Sequence, residues 1–202
     1  QEVLVNLLAD IKERLPKWVR IQRIQRDIPI QLIEAGNMKS HIRELAQWEL
    51  ESRGTKCRCI RCREAGHNYL KGREAGEPSL LTEAYSASGG KEYFVSFEDP
   101  EMDILVGFAR LRIPSKTAHR PEMAGSAVIR ELRTVSQQLS FSKRDDNSWQ
   151  HRGLGEKLIG RCLELAADNG KEQLLVTSGV GAREYYRHLG WERVGPYMGK
   201  TI

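Results

Sequence analysis

From Lys91 to the C-terminus, strand-like alternation and helical periodicity follow one another in an order that few architectures accept. "KEYFVSFEDP" alternates apolar and polar residues and stops at the Asp99-Pro100 turn, and "DILVGFARLRI" repeats the pattern after a short connection. The two predict a hairpin. "AGSAVIRELRTV" predicts a third strand, and residues 137–149 read as a polar loop. "QHRGLGEKLIGRCLELAADNG" then has helical spacing for about four turns. A short buried strand ("KEQLLVTSG"), a short helix ("AREYYRHLG", with Gly190 as its C′ residue) and one closing strand ("WERVGPYM") complete the series. The order β-β-β-α-β-α-β predicts an α/β fold, a mixed sheet with helices on its faces. A composition 40% hydrophobic and 29% charged is that of a globular chain and excludes a disordered one.

The first third differs. Val3, Leu4, Leu7, Leu8, Ile11 and Leu15 recur at helical spacing over residues 2–15, and Pro16 ends the run. "WVRIQRIQRDIPI" suits an edge strand ending before Pro29. A second helix is expected from about Asn37 to Ser52, with Ile42, Leu45, Ala46 and Leu50 on one face and Gly54 as its stop. "NYLKGREAGEPSLLTEAYSASGG" is rich in turn residues and reads as a surface loop. With 202 residues the chain has room for one medium domain with an extension, or for two small domains. No apolar run approaches the roughly 20 residues of a membrane span, and no secretory leader is legible. The chain opens on Gln1, and a piece of a longer protein is expected.

Three of the four cysteines, Cys57, Cys59 and Cys62, fall within six residues. So crowded a set makes no sensible disulfide network and points to a metal in a reducing, cytoplasmic setting. Three soft ligands on one short loop suit tetrahedral zinc, with His67 as a candidate fourth ligand. An iron–sulfur cluster is the rival reading, and free thiols the plain one. Cys162 lies on the apolar face of the later helix and reads as core. Basic residues outnumber acidic ones 32 to 27 and crowd at "RLPKWVRIQRIQR" and "KCRCIRCR". Both runs could follow a nucleic-acid backbone, or could be solvated faces.

Gly153 and Gly155 open the long helix behind Gln150, His151 and Arg152. A helix start presents unpaired N–H groups and the positive end of its dipole, and bare glycine backbone lets a phosphate come close. The pattern alone suits an ordinary helix start equally well, and it is no dinucleotide fingerprint, for G-x-G-x-x-G is absent. Its context adds more. Q/R-x-x-G-x-G/A between a sheet strand and a long helix resembles motif A of the GNAT acetyltransferases, and the segments "DIPIQLIEAGN", "CRCIRCREAGH", "SFEDPEMDILVGFARLR", "VIREL", "QHRGLGEKL" and "SGVGAREYYRHLGWERVGPYM" resemble, in that order, the catalytic subunits of Elongator. The wording departs from that family at residues 133–136, at 191 and at 193–194.

The resemblance implies a GNAT fold with an N-terminal extension and a zinc loop. Residues 1–54 would be the tail of a radical-SAM domain, 55–90 a metal-binding linker and 91–202 the acetyltransferase domain. It implies acetyl-CoA bound through Leu132, Arg133, Val135, Gln150, His151, Arg152, Gly153, Leu154 and Gly155. A 4Fe-4S cluster and S-adenosylmethionine would belong only to the family's preceding part. The activity implied is the acetyl-CoA step of C5 modification of the wobble uridine (position 34) of tRNA, with tRNA as partner and a homodimer or Elongator subunits as assembly. Tyr185 or Tyr186 would protonate the departing thiolate, the other ring packing or touching substrate. Glu131 would be a general base or, equally, a solvated ion pair. A protein lysine acetyltransferase and a tRNA-binding module that holds acetyl-CoA without turnover are the alternatives.

Overall fold

The computed structural model describes residues 2–26, 28–135 and 153–202. Helix α1 spans Glu2–Glu13 and stops as expected ahead of Pro16, whose ring disfavours helix before it. Its inward face holds Ala9 and Lys12, whereas Val3, Leu7 and Ile11 are 82, 52 and 46% exposed. Of the apolar positions read from the spacing, one stripe therefore faces outward. Helix α2, Ile42–Ser52, buries Ile42, Ala46 and Leu50. It begins later than Asn37 because Asn37 is occupied in a turn: its Oδ1 accepts from Lys39 N–H, and its Nδ2 donates to Gln25 Oε1 at 2.6 Å. Gly54, at φ +68°, ends the helix.

Among the described residues, the edge strand expected from Trp18 to before Pro29 does not form. The carbonyl groups of this segment are taken from outside it. Arg110 Nη2 donates to Trp18 O at 2.6 Å, Ile60 N–H to Val19 O at 2.9 Å, and Arg43 Nη2 to the carbonyls of Ile21 and Gln22. Trp18 instead stacks on Tyr85, with centroids 4.4 Å apart and planes 7° from parallel.

Two short helices, α3 (Ile60–Arg63), which carries Cys62, and α4 (Ala65–Tyr69), come next. The sheet then begins earlier than expected. Ser79–Ala87, read as loop, is strand β1. It pairs in full register with β2 (Gly90–Asp99) across a tight turn with Ser88 at φ 45° and Gly89 at φ 69°. Two central residues with positive φ match the twist of a hairpin. β3 (Ile104–Ile113) and β4 (Ser126–Thr134) continue the antiparallel meander. α5 (Leu154–Asp168) crosses one face and returns the chain to β5 (Gln173–Val176), parallel to β4. After α6 (Arg183–His188), the expected single closing strand is a hairpin, β6 (Glu192–Val194) and β7 (Tyr197–Thr201), turning at Gly195. The seven strands lie in the order β1-β2-β3-β4-β5-β7-β6.

The main core lies between α5 and the sheet. Leu158, Ile159, Cys162 and Leu165 meet Val95, Ala109, Leu111, Ile129 and Val176. Cys162 is core, as its position in the sequence implied, and burial pushes its thiol up to about 12. On the opposite face Ile60 packs with Phe94, Leu105 and Phe108, closed by Trp18 and Val135. The N-terminal segment and the cysteine region therefore roof the face that α5 leaves open.

Candidate functional site

β4 and β5 pair only from Ser126↔Gln173 to Ile129↔Val176, with one further bond from Thr177 N–H to Ile129 O at 3.0 Å. β4 then runs on to Thr134 beside β3 alone. Within that pairing Arg110 faces Glu131 while Leu111 faces Ile129, so Arg130 is an extra residue, a bulge. The bulge turns Leu132 toward the α5 core and Glu131 away from it. The result is a notch between parted parallel strands, with unpaired strand edge along one wall.

Helix α5 begins at this notch. Its N-cap, Gly153, has φ 67° and ψ 20° and makes no side-chain cap bond. That left-handed conformation favours glycine, and the uncapped first turn directs its N–H groups outward. A Cβ on Gly155 would stand 3.3 Å from the Tyr185 hydroxyl, so this phenol lies over the first turn of α5. Leu154 is buried beneath it. Gln150, His151 and Arg152 lie outside the described residues.

Tyr185 is 42% exposed and Tyr186 only 5%. Their rings meet edge to face at 5.2 Å, and Tyr186 meets Trp191 at 5.4 Å. Burial, then the neighbouring Tyr185, pushes the Tyr186 phenol up to about 12, and burial also raises Tyr185. Both keep their protons at neutral pH. Glu131 accepts from Arg110 Nε at 2.9 Å and pairs with Arg133 Nε at 2.8 Å. Val135 packs with Phe94 and Phe108, and its N–H is committed to Val106 O at 2.7 Å.

The sulfurs of Cys57, Cys59 and Cys62 all lie within 4.8 Å of one another. Thiolates around a tetrahedral zinc stand roughly 3.8 Å apart, so this donor set fits such an ion. Hydrogen bonds from Cys57 and then Cys62 hold the Cys59 thiol well below its ordinary range, and Cys57 as donor is pushed up. His67 does not join the three: its Nε2 turns to Glu64 Oε2 at 3.6 Å. Glu64 is also the bidentate partner of Arg20, and that carboxylate draws the ring away from the sulfurs.

Much of the basic run is turned inward. Lys17 pairs with Glu83 at 2.7 Å and Glu98 at 3.6 Å, and Arg63 Nη2 lies 2.5 Å from buried Glu98. Arg58 and Lys56 both hold Asp103. Burial by itself would raise the Asp103 carboxyl, but the bonds from Arg58 and Lys56 bring it down to about 2. Arg20, Arg61 and Arg133 nevertheless gather near the end of β4. Burial, then the charges of Arg133 and Arg61, lowers the affinity of Arg20 for its proton. Sequence reasoning missed the hub at Glu92, a buried carboxylate that receives Tyr85 Oη at 2.7 Å, Arg112 Nη1 at 3.0 Å and the guanidinium of Arg130. The charged letter within the apolar run of "KEYFVSF" was its only signal.

A splayed β4/β5 pair beside an uncapped, glycine-led helix defines the class: residues 146–200 match the acetyltransferase (GNAT) domain family, and residues 1–52 match the Radical_SAM C-terminal domain family. Over nearly its whole length the chain is also similar to particular proteins. It is 49% identical, over 98% of its residues, to a tRNA uridine(34) acetyltransferase of Dehalococcoides mccartyi, covering 44% of that protein. It is 41% identical, over 98% of its residues, to Elongator complex protein 3 of Danio rerio, covering 37% of it. The solved structure of archaeal Methanocaldococcus infernus Elp3 with an N-terminal deletion superposes with a TM-score of 0.89 at 44% identity, over 98% of this chain and 48% of that one. The chain thus carries a match to the GNAT acetyltransferase domain family and is similar throughout to these relatives, of whose length it spans less than half.

Proposed function

We propose that the chain is the acetyl-CoA-using portion of a tRNA wobble-uridine acetyltransferase. The observation that carries this reading is the notch itself: β4 and β5 part at Ile129, and Gly153, Gly155 and the Tyr185 hydroxyl cluster where the notch meets α5. Acetyl-CoA supplies an activated acetyl thioester when bound. The first turn of α5 binds its pyrophosphate through backbone N–H groups, and Gln150, His151 and Arg152, which precede it in the sequence, are proposed as further contacts. Gly155 has no side chain to hold the phosphate off. The free edge of β4 after the Arg130 bulge, around Leu132 and Arg133, receives the pantetheine arm.

The two tyrosine rings stand 5.2 Å apart, so both lie at one end of the ligand, and their burial divides the work. Tyr185, the more exposed, lines the ligand wall over the first turn of α5. Tyr186, protonated and walled by Tyr185 and Trp191, serves as proton donor to the departing thiolate. Glu131, held by two guanidinium groups, orients Arg110 and Arg133 rather than removing a proton. Exposed Arg23 and Arg26, with Arg61 and Arg133, would meet the tRNA backbone. The sheet domain starts at β1, near Ser79, and residues 1–54 form the tail of a preceding radical-SAM unit. The three cysteines hold zinc at the junction.

Acetyl-CoA hydrolysis measured with and without tRNA tests the reading. Hydrolysis that tRNA stimulates is expected; turnover of histone-like peptides indifferent to tRNA would overturn it in favour of a lysine acetyltransferase.

A further inference from the structure

Lys12 is 1% exposed, yet no carboxylate meets it among the described residues. Its one partner there is Cys62 Sγ, 3.9 Å from Nζ. Of the acids on its own helix, Asp10 is engaged by Arg53 on the outside and Glu13 is exposed. Around the cysteines lie Ala9, Leu50, Leu15 and Ile21, an apolar wall that offers Lys12 no carboxylate, and the other charge that feels the cluster, Arg20, is a cation. A buried ammonium without an anion is strongly unfavourable, so the thiol cluster must supply the negative charge. Three thiolates around a divalent ion carry one net negative charge, which one lysine balances.

We propose that Lys12 is the charge partner of the metal–thiolate centre: its ammonium donates to Cys62 Sγ and thereby fastens α1 to the cysteine loop. The inference rests on the metal reading of Cys57, Cys59 and Cys62 given above. It makes the centre a joint, for α1 lies in the region matching the radical-SAM family, while Ile60 on the same loop packs against β2 and β3. Lys12 is thus a positioning residue for the metal and not one of its ligands.

The test uses this chain and its Lys12→Met and Lys12→Gln variants, with zinc affinity read by competition against a chromophoric chelator and cobalt(II) absorption read in parallel. Loss of a group that hydrogen-bonds a ligand lowers metal affinity by about 10–100-fold, and that loss is expected in both variants. The cobalt d–d envelope should stay as in the unaltered chain, and the metal-free Met variant should melt no earlier than the metal-free parent. Zinc affinity within about twofold of the parent in either variant would overturn the proposal, as would a changed d–d envelope, which would make Lys12 a ligand. A parent chain that takes up neither metal would instead sink the metal reading, and this inference with it.

Discussion

At the level of single residues, Gly155 and the paired tyrosines carry the most specific expectations. Gly155→Ala places a methyl group 3.3 Å from the Tyr185 hydroxyl and on the side where phosphate would approach. The variant should fold with an unchanged melt while KM for acetyl-CoA rises; an unaltered KM would argue against the seat. Tyr186→Phe should lower the rate of acetyl-CoA hydrolysis by about 100-fold, the ordinary worth of a placed proton donor. Tyr185→Phe should raise KM with little effect on kcat. Equal, small effects in both variants would remove tyrosine from the chemistry. Gly153 and Gly155 stood out in the sequence only through their context between a strand and a long helix, since the glycine pair alone suits an ordinary helix start equally well. The division of labour between adjacent tyrosines was not: neighbours on a helix point about 100° apart, and only the packing of Trp191 and the position of α5 say which ring goes where.

At the level of elements, β2 and the loop after it depend on charges held inside. Glu92 anchors Tyr85, Arg112 and Arg130, tying together three strands and the bulge. Its replacement by Ala would leave two guanidinium groups uncompensated and should cost about 3–5 kcal/mol in chemical denaturation; a loss below about 1 kcal/mol would show the hub to be dispensable. Asp103 gives a pH signature. Its folded carboxyl, near 2, lies below the ordinary value of 3.8, so its contribution is complete above pH 4 and is lost as pH falls from about 4 to 2. Asp103→Asn tolerates the positive φ of 55° and should flatten the acid limb of the stability curve in that window while lowering stability at neutral pH. An acid limb as steep as the parent's would contradict this. Strand β1 shows why loops and edge strands are confused in sequences. Its exposed positions outnumber its buried ones, and Ser88-Gly89 reads as loop until the partner strand is seen.

Taken whole, the molecule is two regions joined by a roof of charge and sulfur. Arg63 on the cysteine loop reaches Glu98 on β2 and Asp103 beside β3, both far from it in sequence. Breaking that joint with Glu98→Gln should raise amide exchange across residues 55–70 and leave α5 protected, because the α5 core has its own apolar contacts. Uniform deprotection of both would mean that the molecule opens as a single unit. By itself the sequence determined the mixed α/β class, the glycine-led helix after the third of its expected strands, the crowding of three cysteines on one short segment and the buried place of Cys162, since each follows from local spacing and residue chemistry. Tertiary structure alone decided that the described residues from Trp18 to before Pro29 form no strand, that His67 turns to Glu64, that half the basic run is spent on internal acids, and that Lys12 meets a thiol. Apart from the His67–Glu64 contact, which spans three residues, each of these depends on a partner dozens of residues away, and no local pattern carries the identity of a distant partner.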